Sequence, residues 1–256
     1  MAQTSVTATP GQVGAIQADR CRVGSDARDT AIRSKYKAVR SATSVLAASM
    51  SAEDQMVQSC PEASPMKWHQ AHTTWFFETF ALRHFLKGYK PFREEFHWLF
   101  NSYYNSLGQE IPDKSLRSAF SRPSLDEIFV FRKHIDQEMD RFLASGADEE
   151  ATRRIVLGLN HEQQHQELAL KDIKHAFFSN PLYPYMAGPL SEEKYPPVSK
   201  LAWDSFDGGL VEIGYPLRAE DPLDFCFDNE TPRHNVFFRT IPDRKPQSHL
   251  PRIPGI

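Results

Sequence analysis

A chain of 256 residues, 40% hydrophobic and 25% charged, has room for one large or two modest globular domains. Its net charge of −3 argues against a nucleic-acid or anionic-membrane partner, and no apolar run reaches membrane-spanning length. Cys21, Cys60 and Cys226 are widely spaced and form neither a CxxC pair nor a disulfide framework; with no secretory pattern at the start, this predicts a reducing, cytoplasmic setting.

Residues 1–25 are rich in Ser, Thr, Ala and Gly and read as a mobile arm. From 26 to 49, Ala31, Tyr36, Val39, Val45 and Leu46 form an apolar helical stripe opposite Lys and Arg. Ser51, with Glu53 and Asp54 behind it, caps a short helix that ends before Cys60-Pro61. Ser64-Pro65 opens a helix running through Trp68, His72, Trp75 and Leu82 to a glycine stop at Gly88. Pro91 opens another, with Phe92, Phe96, Leu99, Tyr103 and Leu107 at spacings of three and four before Gly108. Residues 109–123 are a polar, basic connection. Ser124 with Glu127 is a capping box, followed by the stripe Ile128, Phe131, Ile135, Met139 and Phe142 and a stop at Ser145-Gly146. The last helix runs from Asp148 to about Phe178.

Long amphipathic helices joined by moderate connections predict a mainly α fold over 26–180, an antiparallel four-helix bundle. Pro181, Pro184, Pro189, Pro196 and Pro197 mark 181–202 as a linker. Residues 203–238 change to a strand-like pattern, with Leu210-Val211-Glu212-Ile213-Gly214 and Val236-Phe237-Phe238, and begin a β-containing second module. Residues 239–256 read as an irregular tail.

The chemistry centres on the last helix. His161 and His165 are four residues apart, so their imidazoles share one helix face and can grip one metal ion, or simply form a solvated or core pair. With Glu162 they spell H-E-x-x-H, the pattern in which Glu serves as general base beside zinc. No metzincin-type third ligand follows, although Glu167 and Asp172 are later candidates. His72, on the aromatic face with Trp68 and Trp75, is the better third ligand, with His69 as its alternative. Three neutral imidazoles leave coordination positions open, as a catalytic centre requires. His84, His97, His134, His175, His234 and His249 have no ligand-like spacing.

Several strings together carry a resemblance: Ser64-Pro65-Met66-Lys67-Trp68-His69-Gln70-Ala71-His72-Thr73-Thr74-Trp75-Phe76-Phe77-Glu78, Ser121-Arg122-Pro123-Ser124, and His161-Glu162-Gln163-Gln164-His165-Gln166-Glu167. In this order they resemble the DinB-like helical domain of the ergothioneine-biosynthesis sulfoxide synthases. Trp203-Asp204-Ser205-Phe206-Asp207-Gly208-Gly209 and Phe227-Asp228-Asn229-Glu230-Thr231-Pro232-Arg233-His234 resemble the start of that family's second, formylglycine-generating-enzyme-like domain. The resemblance implies Fe(2+) held by His72, His161 and His165. It implies dioxygen-dependent joining of a thiol (γ-glutamylcysteine or cysteine) to the imidazole carbon of hercynine, giving a sulfoxide. Gln164 matches a position associated with the substrate imidazole, and Arg117 or Arg122 is a candidate clamp for the thiol's carboxylate. The family's second domain is longer and supplies a catalytic tyrosine; none of Tyr183, Tyr185, Tyr195 and Tyr215 can be given that role. The tail therefore reads as a truncation or frameshift, and impaired synthase activity is expected.

Two other readings compete. One is a DinB-like thiol transferase using zinc or nickel without oxygen, which has no reason to carry the 203–238 segment. The other is a non-catalytic helical bundle with an incidental histidine pair, which requires His72 to lie far from His161 and His165.

Overall fold

The structure is a computed structural model that describes residues 10–102, 113–186, 203–216 and 221–244. It divides into two units, Met1–Met186 and Ala187–Ile256, and the division falls inside the proline-rich segment.

The first unit is helical, so the chain is mainly α as its periodicity predicts. Its helices are α1 (Pro10–Ala48), α2 (Met66–Phe77), α3 (Arg83–Phe85), α4 (Glu94–Leu99), α5 (Leu125–Ala144) and α6 (Glu149–Ser179). Helices α1 and α2 each pack against both α5 and α6. Ile32 and Tyr36 from α1, Trp75 and Phe77 from α2, Phe131 and Ile135 from α5, and Ile155 and Leu159 from α6 fill the centre. Every side chain of α2 is buried, so this is the inner helix. The Ser124 capping box forms as its spacing requires, and Asp148 caps α6 by accepting from the Ala151 amide. Gly146, at φ +87°, ends α5 where a side chain would be strained. Gly158 is needed for a different reason. A Cβ there would lie 2.7 Å from Phe77 Cε1, so its absence lets α6 approach the aromatic face of α2.

A buried ionic network ties the four long helices together. Glu162 of α6 is fully buried and accepts from Thr43 Oγ1 (2.7 Å), Arg40 Nη1 (3.0 Å) and Arg132 Nη2 (3.3 Å). Arg40 also reaches Asp136 on α5 (2.7 Å) and Thr74 on α2 (2.9 Å). Burial alone would raise the Glu162 carboxyl, but the two guanidiniums and the Thr43 hydroxyl bring it below its ordinary value.

Four boundaries differ from the sequence reading. Residues 10–25, assigned to an arm, lie in α1. Pro10 has the fixed φ a first turn needs, and lengthening an existing helix requires no new nucleation. The helix from Pro65 is not uniform: a π-helical turn, Glu78–Leu82, separates α2 from α3. The helix expected over 91–107 is only the six residues of α4; Phe100 leaves helical geometry, and Tyr103 and Leu107 lie outside the described residues. In the tail, residues 241–244 form a strand.

The second unit contains β1 (Trp203–Phe206), β2 (Gly209–Ile213), β3 (His234–Phe238) and β4 (Ile241–Arg244). β2 pairs antiparallel with β3, Val211 opposite Val236, and β1 pairs antiparallel with β4, Trp203 opposite Arg244. Among the described residues no helix is long and apolar enough to cross a membrane.

Removing one partner of a buried ionic network leaves the rest uncompensated. Glu162→Ala is expected to cost about 3–5 kcal/mol, read as a lowered midpoint in urea unfolding followed by circular dichroism.

Candidate metal centre

Helix α2 supplies His69 and His72, and α6 supplies His161 and His165. The packing of these two helices brings one nitrogen each of His72, His161 and His165 within 4.8 Å of one another. His72 Nε2 and His161 Nε2 are 3.2 Å apart. Two nitrogens bound tetrahedrally about 2.1 Å from one ion would be about 3.4 Å apart. The wide separation required by an incidental histidine pair is therefore not found.

His72 is held on every side. Its ring stacks between Trp68 (centroids 4.4 Å, interplanar 12°) and Trp75 (5.2 Å, 17°), its neighbours one helical turn away. Its Nδ1 lies 2.6 Å from the Phe100 carbonyl oxygen, which can only accept, so Nδ1 carries the proton and Nε2 keeps the lone pair. That carbonyl is free for this role because α4 stops at Leu99. Trp75 Nε1 donates to the His97 carbonyl (2.8 Å), fixing the same segment against α2.

All three imidazoles are disposed to be neutral, the form that binds metals. Burial takes His72 well below its ordinary value, with His161 adding to the effect. Burial brings His161 down to about 4. His165 is pushed far down by burial, and then by His72, His69 and His161 around it. The Nδ1 of His161 is buried without a hydrogen-bond partner. Neutral nitrogen donors in this number suit iron(II), zinc, cobalt or nickel, and the residues present fit such an ion.

The centre opens on a cleft of about 510 Å³, lined among others by Ser64, Arg117, Lys114, Lys171, Ser102 and Gln164. Gln164 is exposed at its rim. Arg117 is buried, its guanidinium carbon 3.4 Å from the Trp68 ring centre, and it donates to Ser64 Oγ (2.8 Å) and Ser102 Oγ (2.9 Å). Arg122 is exposed and lines an adjoining small cavity, which shares Trp68 and Arg117 with the cleft, so Arg117 but not Arg122 lines the cleft itself.

Other candidates take different places. Glu162 lies in the buried network and is committed to two arginines, so the H-E-x-x-H string provides no general base here. Glu167 is exposed and outside the cluster. Asp172 and His69 also lie outside the trio and bond to each other, with His69 Nε2 3.2 Å from Asp172 Oδ2. The Phe100 carbonyl escaped sequence reasoning, because a backbone oxygen carries no residue signature.

The chain matches no protein-family model, and a search of curated proteins finds no match.

Replacing His72 with Ala removes one of the three candidate ligands. Cobalt(II) affinity, measured by chelator competition, is expected to fall by more than about 100-fold, the upper end of the loss caused by removing a supporting residue alone.

Proposed function

We propose that the helical unit is a DinB-like mononuclear iron(II) domain, and that its cleft serves dioxygen-dependent C–S bond formation between hercynine and γ-glutamylcysteine or cysteine. The observation that carries this reading is the convergence of His72, His161 and His165, as neutral imidazoles, on the floor of an open cleft. The motif resemblance contributes the substrates. The reaction balances as imidazole C–H plus thiol S–H plus O2 giving the C–S sulfoxide and water. Dioxygen takes four electrons, two from forming the C–S bond and two from oxidising sulfur.

An iron(II) ion in this position would supply the redox chemistry that dioxygen requires. The protein's residues do the rest. Trp68 and Trp75 clamp His72, and the Phe100 carbonyl keeps its lone pair directed inward. Arg117 and Lys114 put positive charge on a cleft wall that also carries Glu62 and the Lys171–Asp172 pair, and they are the cations suited to the carboxylates of an amino-acid or dipeptide thiol. Gln164 offers an amide at the rim to the second substrate's imidazole.

Two measurements test the reading. Adding γ-glutamylcysteine or cysteine to the cobalt(II)-loaded chain is expected to produce a thiolate charge-transfer band that His72→Ala lacks. The iron(II)-loaded chain, given hercynine, thiol and air, is expected to form the sulfoxide with impaired turnover, a low yield detected by mass spectrometry. Absence of both signals overturns the proposal, and C–S bond formation without oxygen by the zinc or nickel form would replace it with a thiol transferase.

A further inference from the structure

We propose that His69 is a positioning residue for metal binding, which together with Asp172 holds the His165 ring so that Nε2 is the atom offered to the ion. The inference rests on the metal centre at His72, His161 and His165. It extends that centre by two residues behind the ligands.

The argument is one of proton counting along a chain of contacts. His165 Nδ1 lies 2.9 Å from His69 Nδ1. His69 Nε2 lies 3.2 Å from Asp172 Oδ2. Two imidazole nitrogens at that distance share one proton, so one donates and the other accepts. With an ion on His165 Nε2, the ring's remaining proton is on Nδ1, which must donate to His69 Nδ1. His69 Nδ1 then accepts, and its own proton sits on Nε2, pointing at a carboxylate oxygen that can only accept. Every contact is satisfied in this direction. In the reverse direction His165 Nδ1 would accept, its proton would sit on Nε2, and no lone pair would remain for the ion.

The carboxylate that fixes the direction is itself fixed. Asp172 Oδ2 accepts from the Ser64 backbone amide (2.9 Å), and Lys171 Nζ lies 3.1 Å from Oδ1. His69, Asp172 and Ser64 are each largely buried along the wall of the cleft. The arrangement parallels His72, whose Nδ1 faces a backbone carbonyl, but here the end of the chain carries full negative charge. Charge relayed through an imidazole makes His165 the more strongly donating ligand.

The test uses the full chain titrated with cobalt(II), reading both affinity and the visible ligand-field spectrum, with circular dichroism as the check on folding. His69→Phe is expected to weaken binding about 10- to 100-fold and shift the spectrum, as losses of outer partners of metal-bound histidine do. His69→Gln, whose amide can accept from His165 and donate to Asp172, is expected to restore most of the affinity. Asp172→Asn, which keeps an acceptor but loses the charge, is expected to fall between the wild type and His69→Phe. Wild-type affinity and spectrum in a folded His69→Phe would overturn the relay while leaving the metal centre intact. Gln as poor as Phe would overturn it too. If His69→Phe does not fold, Asp172→Asn decides, and an unchanged affinity and spectrum there overturn the proposal. A wild-type chain that takes up no cobalt would overturn the metal centre and the relay together.

Discussion

Glu162 places a full negative charge at the centre of the helical unit, and the helices are arranged around the need to neutralise it. Removing a carboxylate from water costs several kcal/mol. Here that cost is offset by Arg40 from α1, Arg132 from α5 and the Thr43 hydroxyl, with Thr74 of α2 completing the coordination of Arg40. Such a network adds little net stability compared with an apolar core, but it is strongly directional. Only one rotation of α6 places Glu162 between the two guanidiniums. That rotation also sets where His161 and His165 point, because they leave the same turns of the same helix toward α2. The ionic core thus aims the site.

The site combines dryness with access. Towards the core, His72 is packed by indole rings and kept neutral by burial; on the other side lies the cleft, whose wall carries both basic and acidic side chains. Arg117, Trp68, His72 and Trp75 form one continuous stack from the cleft wall inward. A cation over one indole face and the His72 imidazole against the other make Trp68 the contact between the charge at the cleft wall and a ring of the candidate metal site.

Much of this was legible in the sequence because it is periodic or local. The stripe of α5, its capping box, the glycine stop at Gly146 and the i,i+4 pair on α6 each follow from spacing alone. His72 could be nominated because it shares a face with Trp68 and Trp75. The illegible parts depend on contacts between distant residues or on backbone atoms. His69 sits one turn from His72 in sequence space, yet only the path of α6 shows that its ring lies against His165. The string H-E-x-x-H has two physical solutions, and the glutamate's direction is settled by Arg40 and Arg132, which lie 122 and 30 residues away from it. The strand at 241–244 gains its identity from pairing with 203–206, a partnership that no local pattern announces.

The π-helical turn at Glu78–Leu82 has a consequence for how such a site can change over evolutionary time. A π turn is equivalent to one extra residue inserted in an α-helix, so it shifts the angular phase of everything beyond it. Upstream lie the rings of the candidate metal site; within the turn itself, Ala81 and Leu82 face the core. The extra residue is held in place by Glu78, which accepts from the Tyr89 hydroxyl and the Phe92 amide. Because every side chain of α2 is buried, the turns that carry His69 and His72 have little room to vary, and it is at the π turn that a one-residue insertion is absorbed without moving them.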